Sequence, residues 1–262
     1  MAIHQNKNKI VEILETKRKY MAQKNTQPEL FVVGAGPGDP ELLTIKAYNV
    51  LKEADVVLYD NLANQALLAF TRTDCQNIYV GKQPYGAFTP QETILEMIKH
   101  FAFTCGKVVR LKGGDPFIFG RGFEEIIYAR QQGIKTHFIP GITSMQASGL
   151  DDIPLTHRNV SESVWIVTGT KKDGRLSADL KLAIQSNATV VIYMGMKKLA
   201  DIAQSYIEAV KGDMPAAIIQ HASLPKQKSA KGVVKNLEAM VHEHQLTHPA
   251  IIIIGEVVNL NN

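Results

Sequence analysis

The densest run of residues able to do chemistry is Arg110-Leu111-Lys112-Gly113-Gly114-Asp115-Pro116-Phe117-Ile118-Phe119-Gly120-Arg121-Gly122. A strand-like run over 107–111 leads into it, and Glu124 and Glu125 open a helical pattern behind it. Glycines at the carboxyl end of a strand let a ligand approach the backbone closely, and the N–H groups of the turn and of the following helix would meet it. The bland alternative is an ordinary strand-to-helix loop with surface charges. A proline, two phenylalanines and four glycines in one short loop weigh against it, because that composition suits a loop that must hold one shape.

Other strand ends carry similar residues. Val56–Tyr59 ends in Asp60, a carboxylate placed where open α/β sheets gather ligands or, equally, where it caps the segment from Leu62 onward. The strand over 77–80 ends in Gly81-Lys82, and Lys82 also reads as a solvated surface charge. Pro140-Gly141-Ile142-Thr143-Ser144 follows a fifth strand. The first strand, 30–33, ends in Gly34-Ala35-Gly36-Pro37-Gly38-Asp39-Pro40. A dinucleotide loop wants a third glycine where Asp39 stands, and Pro37 stiffens the turn, so a nicotinamide-dehydrogenase reading is rejected.

The elements that position these ends alternate. Helices are expected over 41–53, with Leu42, Leu43, Ala47, Val50 and Leu51 on one face, over 90–101, with Thr89 as cap and Pro90 as first helical residue, and over 123–132. Five strand-and-helix units in a row predict a parallel sheet covered on both faces, with all five ligand-friendly clusters on one rim. The alternation breaks over 151–160, where Ile153-Pro154-Leu155-Thr156-His157-Arg158 reads as an extended connector. Strands are then expected at 164–167, 189–193, 215–220, 228–233 (an edge strand) and 249–254 (closing the sheet), with helices at 180–184, 199–210 and 234–243. The prediction is an α/β protein of two α/β domains, 29–150 and 151–262, with a cleft between them, preceded by a loosely docked basic extension, 1–28.

Composition narrows the function classes. Apolar residues make up 45% of 262, a globular content. The formal charge is +4, and residues 1–28, with six Lys or Arg against two Glu, account for all of it. A neutral body with a basic tail argues against a dedicated nucleic-acid binder. No apolar run approaches a membrane span, and the longest, Ile251–Ile254, reads as a buried strand. The extension lacks the apolar core of a signal peptide. Two cysteines, Cys75 and Cys105, form no metal-binding or redox spacing and suggest a reducing, cytoplasmic setting.

Taken together and in order, Gly34–Asp39, Tyr59-Asp60, Gly81-Lys82, Arg110–Gly122, Pro140–Ser144, Ile153–Arg158, Tyr193-Met194-Gly195 and Gly255-Glu256-Val257-Val258 resemble the uroporphyrinogen-III C-methyltransferase family, from about residue 29 to the end. The glycine loop alone is shared with other tetrapyrrole methyltransferases, whereas Arg110–Gly122 with Tyr59-Asp60 and Gly81-Lys82 is more specific. The resemblance implies a monofunctional homodimer that binds S-adenosyl-L-methionine in the cleft and releases S-adenosyl-L-homocysteine. It implies methylation of two ring carbons of uroporphyrinogen III, giving precorrin-2 by way of precorrin-1 for sirohaem, cobalamin or haem d1. It assigns Asp60 as proton acceptor and Lys82 as donor, with no metal required. Arg121 and Arg158 are implied to hold carboxylates of the substrate, since guanidinium pairs bidentately with carboxylate. Glu124 orients Arg121, accepts from a pyrrole N–H, or is a plain helix N-terminal acid. For the cofactor the resemblance points to Pro37, Gly113, Gly114, Asp115, Ile118, Thr143, Ser144, Met194, Ala217 and Ala222, with Asp115 on the ribose hydroxyls or the methionine ammonium.

The chain departs from the family pattern at Phe123, Ala222, Leu150-Asp151-Asp152 and the loop over 83–88. The competing readings are a methyltransferase of the same fold acting on a later corrin precursor, and a cofactor-binding regulator without activity.

Overall fold

The computed structural model describes residues 27–81, 89–171 and 173–260. The expected extension up to residue 26, Lys82 and the loop over 83–88 lie outside the described residues.

The first half builds one parallel sheet from β1 (Glu29–Gly34), β2 (Val56–Tyr59), β3 (Gln76–Tyr79), β4 (Lys107–Lys112) and β5 (Lys135–Ile139), in the order β3-β2-β4-β1-β5. Every pairing is parallel, so all five carboxyl ends share one edge, as expected. The inner strands are apolar on both faces because helices cover both. Leu30, Val32, Val56, Leu58 and Val108 face α2 (Gln91–Cys105) and α3 (Gly122–Gln131). Val33, Val57, Val109 and Leu111 face α1 (Ile45–Glu53). Each such aliphatic side chain contributes about 1.5–3 kcal/mol when fully buried.

Two expected helix starts are corrected. The helix over 41–53 is broken: Pro40–Leu42 is a 3-10 turn started by Asp39, whose side chain accepts from Glu41 N, and α1 begins at Ile45. The break follows from Thr44, whose hydroxyl accepts from Ala47 N at 3.2 Å and so restarts the helix. At α2 the cap is Pro90, not Thr89, and Gln91 is the first helical residue. α2 also runs one turn beyond 101, to Cys105, because Ala102 and Cys105 continue its buried face and Gly106, at φ 106°, supplies the stop.

The second half forms a mixed sheet from β6 (Val164–Thr168), β7 (Thr189–Tyr193), β8 (Pro215–Gln220), β9 (Lys228–Val233) and β10 (Ala250–Ile254), in the order β6-β7-β10-β8-β9. β10 does not close the sheet. It lies at the centre, antiparallel to β7 and β8. Its four isoleucines explain that place, since only a central strand buries consecutive apolar residues on both faces. β9 is the expected edge strand. α4 (Asp179–Gln185), α5 (Leu199–Glu208) and α6 (Leu237–Glu243) cover one face around Ile192, Ile218 and Ile252. The 3-10 segment Ser144–Asp151 and the connector cover the other, through Ala147, Ile153 and Leu155. No helix among the described residues is long and apolar enough to cross a membrane.

Candidate active site

Three loops meet backbone to backbone at the rim of the parallel sheet. Ala35 N donates to Lys112 O at 2.7 Å, and Gly114 N donates to Gly36 O at 2.8 Å. A methyl group on Gly34 or Gly141 would stand under 3.0 Å from the backbone of the facing loop. Gly141 N donates to Asp115 Oδ2 at 3.1 Å, and Phe117 N donates to Asp115 Oδ1 at 2.8 Å. Asp115 therefore braces the loop with both oxygens, and a ribose or ammonium would use its remaining lone pairs. Gly114 takes φ +65°, and a side chain there would project toward Thr143 Cα, 3.7 Å away, and Ser144 N, 3.9 Å away. A side chain at Gly114 would thus touch the Thr143-Ser144 loop, and one at Gly113 would collide with Leu62.

The second half reaches this rim at two points. Tyr193, at the end of β7, brings its hydroxyl to 2.6 Å from Thr143 Oγ1 and accepts from Met145 N at 3.0 Å. Met194 follows at φ 56°, 52% exposed, beyond the carboxyl end of the strand. Phe119, also at positive φ, tilts against Tyr193 with ring centroids 5.4 Å apart. At the other point Asp39 N donates to Ser223 Oγ at 2.9 Å, and Gly38 packs on Leu224 and the Ala222 carbonyl. Ala222 is buried there, its carbonyl facing Gly38, the residue after Pro37. Ala217 is different: it is fully buried on a strand paired on both sides and offers no surface. Ile118 closes the turn after Asp115, its N–H donating to Asp115 O at 3.3 Å.

Asp60 stands at the rim with its side chain 24% exposed. Oδ1 accepts from Leu62 N at 3.1 Å, which braces a turn and does not cap a helix, since the 3-10 segment Gln65–Phe70 is capped by Asn64, and Oδ2 accepts from Arg110 Nη2 at 2.8 Å. Tyr79 lies beside it, its phenol pushed up by burial first and then by the Asp60 charge. Arg121 and Glu124 pair with each other at 2.6 Å, both half-exposed, which is the orienting role considered for Glu124. Arg158 is exposed on a turn closed by two backbone bonds between His157 and Ser161, apart from the Asp60 contacts.

Sequence reading missed the buried charges behind Asp60. Arg110 and Lys112 project from one face of β4, and Glu125 accepts from both, at 3.2 and 3.0 Å, and from Gln91 Nε2 at 3.2 Å. Burial and then the neighbouring Arg110 charge hold the Lys112 ammonium below the usual lysine range, against the pull of Glu125. Two signals were available. Arg110 and Lys112 are two apart on an inner strand, and Glu125 shares a helical face with Gly122, Ile126 and Ala129. Of the departures, Phe123 is exposed and packs edge-on against Phe117 at 5.6 Å, while Asp151 accepts from Gln227 Nε2 at 2.9 Å. Among the described residues no group of three or more His, Cys, Asp or Glu is arranged to hold a metal.

Comparison with known proteins gives a consistent picture. Residues 29–238 match the family described as tetrapyrrole (corrin/porphyrin) methylases. The uroporphyrinogen-III C-methyltransferase of Bacillus subtilis is 45% identical over 234 residues, covering 88% of this chain and 48% of that protein. A siroheme synthase of Chromobacterium violaceum is 41% identical over 233 residues, covering 88% and 50%. The chain spans about half the length of these curated relatives. The solved uroporphyrin-III C-methyl transferase of Thermus thermophilus, complexed with S-adenyl homocysteine, superposes with a TM-score of 0.77 at 37% identity. That match covers 88% of this chain and 99% of the other.

Proposed function

The chain belongs to the tetrapyrrole methylase family, and from that premise we propose that it methylates two ring carbons of uroporphyrinogen III, forming precorrin-2 by way of precorrin-1. The observation that carries this reading is the three-loop rim, where Gly34, Gly113 and Gly141 sit too close to neighbouring loops to admit a side chain and Gly114 faces Thr143 and Ser144, with Met194 exposed beyond the end of β7. The residues present suit S-adenosylmethionine, because an adenosyl amino acid is bound by close backbone approach and small polar side chains. When bound, that molecule supplies an activated methyl group on a sulfonium sulfur.

The protein's part is to align two reactants and keep water away. Gly113, Gly114, Thr143, Ser144, Pro37 and Ala222 supply the backbone and small side chains that hold the methyl donor, and Ile118 and Asp115 brace the loop. Met194, Phe119 and Tyr193 supply apolar and aromatic surface at the mouth. Asp60 accepts the proton released after carbon attack, and Lys82 is the donor group. Each Asp60 oxygen already takes one hydrogen bond and keeps a lone pair for this purpose. Arg121 exchanges Glu124 for a substrate carboxylate, and Arg158 takes another. Each such charged hydrogen bond contributes about 1.5–3 kcal/mol.

The same reading makes the working unit a cytoplasmic homodimer, with the domain boundary at residues 150–151. Light scattering on the purified protein tests the dimer. The decisive assay is anaerobic, with uroporphyrinogen III and methyl-labelled S-adenosylmethionine, counting methyl groups on the macrocycle by mass spectrometry. Two added methyls are expected. Cofactor binding without transfer, or transfer only to a more highly methylated tetrapyrrole, refutes the assignment.

A further inference from the structure

Glu125 has no contact with solvent, yet it is a carboxylate in the packing layer between α3 and the sheet. One of its oxygens, Oε1, receives all three donors described above, from α2 and β4, and the other, Oε2, has no hydrogen-bond partner. A buried charge with an unsatisfied oxygen is a poor stabilising device, since well-packed apolar residues in such a place commonly do as well or better. Its geometry suits a different task. Arg110, only 4% exposed, is held by Glu125 through Nε. Its Nη1 donates to the carbonyls of Leu58 and Leu111 at 3.3 and 2.9 Å, on the two strands whose ends carry Asp60 and Gly113. Its remaining contact is Nη2 to Asp60 Oδ2. With Leu62 N on Oδ1, the carboxylate is held at both oxygens. Lys112 is the second cation on Glu125, so two cations face two carboxylates in this group.

We propose that Glu125 and Arg110 are positioning residues that fix the place and orientation of the Asp60 carboxylate at the substrate side of the rim. The proposal rests on the methyl-transfer reading of that rim. A guanidinium tied at one end to Glu125 and along its edge to two strand carbonyls cannot swing, so Asp60 is aimed by the sheet and not by its own rotamer. The unsatisfied Oε2 follows from this arrangement. All three donors converge on one oxygen because Arg110 must stay in line with Asp60.

Glu125→Gln is the test. It keeps shape and an acceptor oxygen while removing the charge that anchors Arg110. The expected result is a kcat lower by on the order of 10²-fold, the scale of a misplaced reacting group. The KM for S-adenosylmethionine and the Kd for S-adenosylhomocysteine should stay at wild-type values. In an Asp60→Asn background the same substitution should lower kcat no further. If Glu125→Gln does not fold by circular dichroism, Gln91→Leu removes one donor from Glu125 and should give a smaller kcat loss that likewise vanishes beside Asp60→Asn. A folded Glu125→Gln with wild-type kcat, a loss that multiplies with that of Asp60→Asn, or a Gln91→Leu without effect where it is the variant read, overturns the proposal. A wild-type protein that transfers no methyl overturns the function instead. The positioning role is then read from affinity for uroporphyrin III by fluorescence. Glu125→Gln and Asp60→Asn must weaken that affinity and the double variant must add nothing, and independent losses overturn the role.

Discussion

Replacing Gly141 by alanine tests whether the three-loop rim is as tightly interlocked as its backbone contacts imply. The new methyl group would meet Gly114 O under 3.0 Å away and Gly34 Cα at 2.8 Å, all backbone, with no side chain able to rotate aside. Reaching the 3.4 Å at which ordinary contact begins requires Gly34 Cα to withdraw by about 0.6 Å and the Gly114 carbonyl, which is nearer still, by more. Parting the loops strains two sets of bonds: Gly141 N to Asp115 Oδ2 at 3.1 Å, and the pair between Gly36 and Gly114 at 2.8 and 3.3 Å. Overpacking costs about 1–3 kcal/mol, and a weakened hydrogen bond to a carboxylate adds to it, so a destabilisation of about 2–4 kcal/mol is expected. Gly149→Ala is the control, because a methyl there has nothing within 4 Å. It should be neutral or stabilising by up to about 1 kcal/mol. Urea unfolding of the three proteins measures the difference, and calorimetric titration with S-adenosylhomocysteine measures the cradle, where Gly141→Ala should lose on the order of tenfold in affinity, or about 1.4 kcal/mol. A Gly141→Ala protein with wild-type midpoint and affinity would refute the close-approach argument.

Asp60→Ala should slow methyl transfer far more than it weakens cofactor binding, because the Asp60 carboxylate takes its hydrogen bonds from Leu62 and Arg110 and not from Gly114, Thr143 or Ser144; steady-state kinetics beside titration calorimetry separate the two, and equal losses would refute the assignment. Glu29 is held below its ordinary value of 4.5 by the hydrogen bond from Lys135, which outweighs its burial. A carboxylate lowered on folding contributes stability that is complete above its unfolded value and is lost as the pH falls through its folded value, so Glu29→Gln should flatten the melting-temperature profile below about pH 4.5. An unchanged acid limb would remove Glu29 from the acid sensitivity. The Cys75 thiol is pushed up to about 11 by burial, so it should react slowly with Ellman's reagent at pH 8, and fast labelling of the native protein would contradict its packing.

The strands were legible because each is a short apolar run bounded by Gly, Pro, Asp or Lys, and the parallel sheet followed from their alternation with helices. The rim was legible for the same reason: parallel strands bring their carboxyl ends to one edge, so Gly34, Asp60, Gly113 and Gly141 had to meet there. Local chemistry was less decisive at helix starts, where Thr44 and Pro90 each competed with a neighbouring signal. Strand order in the second sheet was not legible. The run of isoleucines in β10 marks burial on both faces, but a pattern of period two carries no information on which strands flank it.

The separation is clearest among the charged residues. Sequence alone determined that Asp60 lies at a strand end, since that depends only on neighbours along the chain. It pointed to Arg121 and Glu124 as partners of the substrate, and these form an exposed pair three residues apart. Only the tertiary structure decided that Glu125, one residue further, is the buried acid, and that it joins Gln91, 34 residues away, to Arg110, and through Arg110 to Asp60, 50 residues from it. One step along a helix turns a side chain by about 100°, from solvent to core. Which face is core is set by the helices and strands packed against it, and no local pattern of charges contains that information.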